Sequence, residues 1–344
     1  MFNSKRTLIK GEASIAEDSN YGLYAELIAE EFAKRRGIPS AHYDLVKFLD
    51  ENGQECFGVL SESVIDPKKG EVLRSLRSLI GDEPDKEEEG LADVTSFDFT
   101  LDRLSDVLYE QGYEDDQIES ILTEYQKRLL LSIEMLNTDN HTENIAFIEW
   151  IEDGKKKIKL APNFDSESTF LLDINVETIE KLLKDYVGLR QSVDFADPRI
   201  GTFSAKEDGG HESLWKDTLV ELCYDDTIAD TFKDWQSNPV DMDEVFEAVE
   251  RRIDVLLPEN VKMMAKHTYD CRNKAMGRLM NPHKKVQTVS GWESILSILV
   301  DRTSDIRTGE QETVEGMMVK NIKDLDKNQQ KVVQKPKEEN FDEK

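Results

Sequence analysis

Asp139, Asn144 and Asp165 are spaced in a way that suits magnesium-dependent phosphoryl transfer. Asn144 follows Asp139 by five residues, and Asp165 comes after two strand-like runs, Ile145 to Ile151 and Lys156 to Leu160, joined by Asp153-Gly154. A loop carboxylate can take the proton of an attacking hydroxyl, while a second carboxylate and an amide oxygen share a hard cation that offsets phosphate charge. Counted outward from Asp153-Gly154 in two-residue register, Asn144 faces Asn163 and Asp165 lies two residues beyond. That is one diagonal step, on the order of 7 Å. Asn144 and Asp165 are therefore the candidate metal ligands and Asp139 the candidate base. Taken singly, these residues are also ordinary turn formers; the hairpin is what joins them. His141, a lone histidine beside two asparagines, reads as a residue that hydrogen-bonds the loop and supports the site.

The elements that must hold these groups follow from periodicity and turn chemistry. Asp-Gly between two strand-like runs is a strong hairpin signal, because a type I′ turn needs positive φ at both central residues. Lys5 to Lys10 reads as a strand, and Leu23, Leu27, Ile28 and Phe32 mark a helix that Gly37 and Pro39 end. Two more strands are predicted near His42 to Leu49 and Glu55 to Leu60. Residues 1–62 thus form a small α+β lobe. Residues 63–95, with the acidic run Lys86 to Glu89, form a solvated connection holding at most a short helix around Leu73 to Ile80. From Thr100 the pattern is helical, so residues 96–318 form a larger, mainly helical lobe, including a helix over Met242 to Leu256 capped by Asp241 and ended at Pro258. Residues 319–344 are too polar to bury a core and are expected to be disordered.

Lys10 ends the first strand and Glu26 lies in the first helix. A strand Lys fixed by a helix Glu is a means of holding nucleotide phosphates. Glu30, Glu31 and Lys34 show that the same helix also carries charges of an ordinary solvated face.

A chain of 344 residues is long enough for two lobes, and its net charge of -28 repels nucleic-acid backbones and anionic lipid surfaces. Direct nucleic-acid and membrane partners are accordingly not expected. No apolar run approaches the roughly 20 residues of a membrane helix, and the first ten residues lack a signal-peptide pattern. The expected compartment is the cytoplasm. Cys56, Cys223 and Cys271 are widely spaced, and neither a disulfide framework nor a zinc site is indicated. Trp215, Trp235 and Trp292 read as packing residues. Other phosphate-binding and hydrolytic motifs are absent: there is no Gly-x-x-x-x-Gly-Lys-Ser/Thr, Gly-x-Gly-x-x-Gly, Gly-x-Ser-x-Gly or His-Glu-x-x-His.

Thr138-Asp139-x-His141-x-x-Asn144, followed by Ala161-Pro162-x-x-Asp165-x-x-Ser168-Thr169, resembles the HipA-like serine/threonine kinases and, more distantly, the phosphoinositide kinases. Ile9-Lys10, Glu26 ahead of Gly37-Ile38-Pro39, and Gly58-Val59-Leu60-Ser61 agree with the short HipA-like proteins, so the similarity covers about residues 7–200. The resemblance implies an α+β, two-lobed protein-kinase-like fold. It implies ATP and Mg2+ as cofactors, Asp139 as catalytic base, Asn144 and Asp165 as metal ligands, and Lys10, Glu26 and His141 at the nucleotide. It further implies a protein hydroxyl as acceptor and an antitoxin-type protein as a partner. Kinases of this kind place a glycine-rich loop before the Lys, whereas the nine residues before Lys10 contain no Gly. The small lobe therefore reads as truncated, or as holding nucleotide without that cover. Asn140 stands where many of those relatives carry Arg. Two other readings stay open: a kinase-shaped binding protein without turnover, and a kinase for a lipid or small molecule.

Overall fold

The computed structural model describes residues 7–11, 21–49, 53, 55–81, 96–195, 199–200, 215–280, 285–288 and 291–294. Helix α1, Gly22–Arg35, is apolar around most of its circumference, and Leu23, Ala25, Leu27, Ile28, Ala29, Phe32 and Ala33 are all buried. A helix of that kind needs cover on several sides. The strands β1 (Thr7–Gly11), β2 (Tyr43–Leu49) and β3 (Glu55–Glu62) form an antiparallel sheet in the order β1-β3-β2. Lys10 pairs with Val59 in it. Gly37, at φ 72, closes α1 in a Schellman turn: Ile38 N–H donates to Ala33 O at 2.9 Å and Gly37 N–H to Lys34 O at 3.1 Å.

The rest of α1's cover comes from farther along the chain. Phe32 meets the rings of Phe170 and Tyr269 edge-on at 5.5 and 5.2 Å. Arg35 pairs with Glu244 at 2.7 Å and Glu30 with Arg252 at 2.5 Å, both on a later helix. By packing, α1 belongs as much to the helical lobe as to the small sheet.

In that lobe the central element is α4 (Asp115–Glu134), preceded by β4 (Val72–Ser75), α2 (Leu76–Ile80) and α3 (Ser96–Glu110). Tyr125, Leu129, Leu130, Leu131 and Ile133 on α4 are fully buried. Strand β5 (Asp139–Asn140) and the hairpin β6 (Ala146–Glu152) and β7 (Lys155–Leu160) follow. Helices α5 (Val176–Lys184) and α6 (Tyr186–Phe195), strand β8 (Arg199–Ile200), and helices α7 (Trp215–Leu222), α8 (Asp226–Ser237), α9 (Met242–Ile253) and α10 (Glu259–Leu279) come next. The chain divides into two compact units, Met1–Gly277 and Arg278–Lys344. In the second, β9 (Lys285–Thr288) and β10 (Gly291–Ser294) form an antiparallel pair that the sequence pattern did not suggest. The tail expected to be disordered lies outside the described residues.

The Asp153-Gly154 hairpin forms as predicted. Both turn residues have positive φ, 50 and 75, and the register runs from Glu152↔Lys155 to Phe147↔Leu160. Two other expectations need correction. Leu73 lies not on a helix but on β4, which pairs with β6 opposite Ile148; the helix begins only after Ser75, whose hydroxyl caps Ser78 N–H at 3.1 Å. The helix from Met242 ends at Ile253 because Asp254 turns left-handed at φ 54, leaving Leu256 79% exposed, and Pro258 starts α10 instead. No helix of the described residues is long and apolar enough to cross a membrane.

Candidate active site

The end of α4 sets the loop that carries Asp139. Asn137 N–H donates to Ser132 O at 2.9 Å and Leu136 N–H to Ile133 O at 3.2 Å, a Schellman turn with Leu136 at φ 52 where glycine is usual. Asn137 Oδ1 then accepts Asp139 N–H at 3.1 Å. Asn140, buried, donates to Ser132 Oγ at 2.8 Å and so ties the loop back onto the helix. Asp139 pairs in parallel register with Arg199, and its side chain remains 45% exposed, open to an acceptor.

Asn144 closes the loop. Its Nδ2 donates to Asp139 O at 2.8 Å, which leaves Oδ1 as the amide oxygen that could face a cation. His141 Nδ1 accepts Glu143 N–H at 3.2 Å, so a neutral ring carries its proton on Nε2, 4.0 Å from Asp139 Oδ2. The ring thus hydrogen-bonds the loop and stands beside the candidate base.

The hairpin returns the chain to a second loop. Ala161 N–H donates to Ala146 O at 2.8 Å, continuing the ladder past the last strand pair. Asn163 then leaves it and pairs with the chain after α1: its N–H donates to Pro39 O and its O accepts Ala41 N–H, both at 2.7 Å. Its side chain is held by Arg128 Nη1 at 2.8 Å and donates to Ser166 Oγ at 2.8 Å. Burial pulls the Arg128 guanidinium down to about 9, against the pull of Glu124, and a guanidinium stays charged at neutral pH. Asn163 is therefore an anchor rather than a partner for Asn144.

Asp165 sits at φ 59, and its N–H donates to the Tyr43 hydroxyl at 3.1 Å. Ser166 N–H donates to Glu26 Oε2 at 2.8 Å. One oxygen from each of Glu26, Asp165 and Glu167 lies within 4.8 Å of the others. Burial and the nearby Glu26 carboxylate hold the Tyr43 phenol well above its ordinary pKa. The two loops are joined directly by Thr138 N–H to Ser168 O at 3.0 Å and Phe170 N–H to Met135 O at 2.9 Å.

The structure thus places Asp139, His141 and Asn144 on one loop and brings Glu26 to Asp165 on the other. Lys10 is placed by its backbone on β1, and its side chain lies outside the described residues. Glu167 was not singled out from the sequence, although it stands two residues after Asp165. Carboxylate oxygens with an amide oxygen are donors of the kind Mg2+ accepts.

A small antiparallel sheet with α1, a helical lobe built on α4, and two loops joined across a hairpin make up a two-lobed α+β fold of the protein-kinase-like kind. The chain is similar in fold to the Helicobacter pylori proinflammatory kinase CtkA, with a TM-score of 0.50 and 13% identity over 79% of this chain and 88% of that one. It is also similar to a chain in the Shewanella oneidensis MR-1 structure of the toxin-antitoxin proteins HipA and HipB with operator DNA. There the TM-score is 0.41 and the identity 13%, over 79% of this chain and 58% of that one. No protein-family model and no curated protein matches the chain. The fold expected from the motifs is the fold observed.

Proposed function

We propose that this chain is an ATP- and Mg2+-dependent phosphotransferase whose acceptor is a Ser or Thr hydroxyl of a protein. The observation that carries the reading is the joining of the Asp139-Asn144 loop to the Asp165 loop through Thr138 N–H and Ser168 O at 3.0 Å, on a kinase-like fold. Asp139 takes the proton as the acceptor oxygen attacks the γ-phosphorus, and the bond to the β-phosphate oxygen breaks to release ADP. Asn144 Oδ1 and Asp165, with Glu26 and Glu167 beside Asp165, would hold Mg2+, which when bound offsets the charge on the phosphates. Lys10 on β1 serves the nucleotide phosphates, and His141 orients the base loop.

The test is transfer from γ-labelled ATP with Mg2+ to the protein itself and to generic protein acceptors. The wild type is expected to transfer, and Asp139→Asn to lose about 10²- to 10⁴-fold in rate while still melting at a higher temperature with Mg·ATP. The absence of both transfer and a nucleotide-dependent melting shift would sink the proposal. A shift without transfer would mark a nucleotide-binding protein without turnover, and transfer confined to a lipid or small molecule would move the acceptor class.

A further inference from the structure

We infer that Arg36 is a positioning residue for the site, acting through its paired contact with Glu134; the inference rests on the phosphotransferase reading. Arg36 follows the last residue of α1, and Glu134 is the last residue of α4. Their side chains are 4% and 1% exposed. Arg36 Nε donates to Glu134 Oε2 at 2.9 Å and Nη2 to Oε1, so the guanidinium grips the carboxylate with two parallel bonds. Arg36 Nη1 also donates to Asn238 O at 2.8 Å, Nη2 lies 3.3 Å from the Tyr269 hydroxyl, and the guanidinium stacks on Trp235 at 5.0 Å.

Three chain segments leave this contact for the site. Back along α1 lies Glu26. Forward from Arg36, Pro39 and Ala41 hold Asn163, two residues before Asp165. Forward from Glu134, the Schellman turn leads in five residues to Asp139. The pair therefore fixes the ends of the helices that carry or hold the base, the Asp165 loop and Glu26.

Stability alone is a poor reason for such a pair, since well-packed apolar residues of similar volume often serve as well or better. What apolar residues cannot reproduce is a directional two-bond contact that fixes one helix end against the other. Small misplacements of catalytic groups have large effects on rate, on the order of a hundredfold for an ångström.

The full-length chain is tested as wild type, Arg36→Met, Arg36→Met/Glu134→Leu and Arg36→Lys. Arg36→Met leaves Glu134 buried without its partner and is expected to melt early, and the double variant is expected to recover that loss. Its kcat for transfer from Mg·ATP should remain about ten- to a hundredfold down. Hydrogen exchange at Thr138, Asp165 and Ser166 should be faster in the double variant and in Arg36→Lys. A double variant that recovers kcat and amide protection along with melting temperature would overturn the inference, leaving the pair a stability element. If the double variant does not fold, Arg36→Lys decides, and wild-type kcat and exchange in it would overturn the inference. If the wild type transfers no phosphate, the functional reading fails, and the exchange comparison still shows whether Arg36 positions the two loops.

Discussion

At Asp165 the backbone and the charge make separable contributions. A left-handed conformation such as its φ of 59 is tolerated by Asp and Asn but costs most other residues roughly 1 to 2 kcal/mol. Asp165→Asn is expected to melt close to wild type and to need more Mg2+ for nucleotide binding, whereas Asp165→Ala should lose both stability and metal response. Thermal melts across a Mg2+ titration separate the two effects, and an Asn variant with unchanged metal response would remove Asp165 from the site. Asp173 offers a second test. Its Oδ2 accepts from Thr138 Oγ1 at 3.5 Å, its Oδ1 is buried with no hydrogen-bond partner among the described residues, and burial first, then the Asp139 charge, raise its pKa. A carboxyl whose folded pKa is raised binds protons more readily in the native state, so stability falls as pH rises from the unfolded value to the folded one. Asp173→Asn should therefore stabilise the protein at pH 7, and the gain should vanish below the ordinary Asp value of 3.8. Melting curves between pH 3 and 7 check the sign.

The elements differ in how much of them local sequence reveals. The β6–β7 hairpin was legible because Asp153 and Gly154 state their conformation through residue type, and the two-residue register followed by counting. Gly154→Ala isolates that contribution: nothing lies within 4 Å of the added carbon, so the cost is that of the backbone at φ 75 alone, about 1 to 2 kcal/mol. Chemical denaturation reads it directly, and a loss well below that range would mean the turn relaxes. Strand β4 was hidden because four residues run straight into the Ser75 cap of α2, too short for a period to show. The Asp139 loop, with Asn144 closing it ahead of β6, was legible as a loop, since its spacing is local. The approach of Glu26 to Asp165 was not, because it depends on where α1 docks, and the residues that dock it, Glu134 and Tyr269, lie far along the chain.

Across the whole molecule, a net charge of -28 makes the folded state repel itself. Salt screens such repulsion within a Debye length of about 8 Å at physiological ionic strength. The melting temperature at pH 7 should therefore rise as NaCl is raised from a few millimolar to about 0.15 M, and a fall would show that attractive pairs such as Arg35–Glu244 dominate instead. The burial of α1 among distant helices also bears on how the protein is made. Arg36 finds Glu134 98 residues later and Tyr269 233 residues later. At about 5 to 20 residues per second of synthesis, α1 waits on the order of ten to fifty seconds for the last of these partners to leave the ribosome. Throughout that interval its apolar surface, Leu27, Ile28 and Phe32 included, lacks the cover it has in the finished fold. Helix α1 is thus made long before it can be fully seated, and in its nascent form it is a natural client for a holding chaperone.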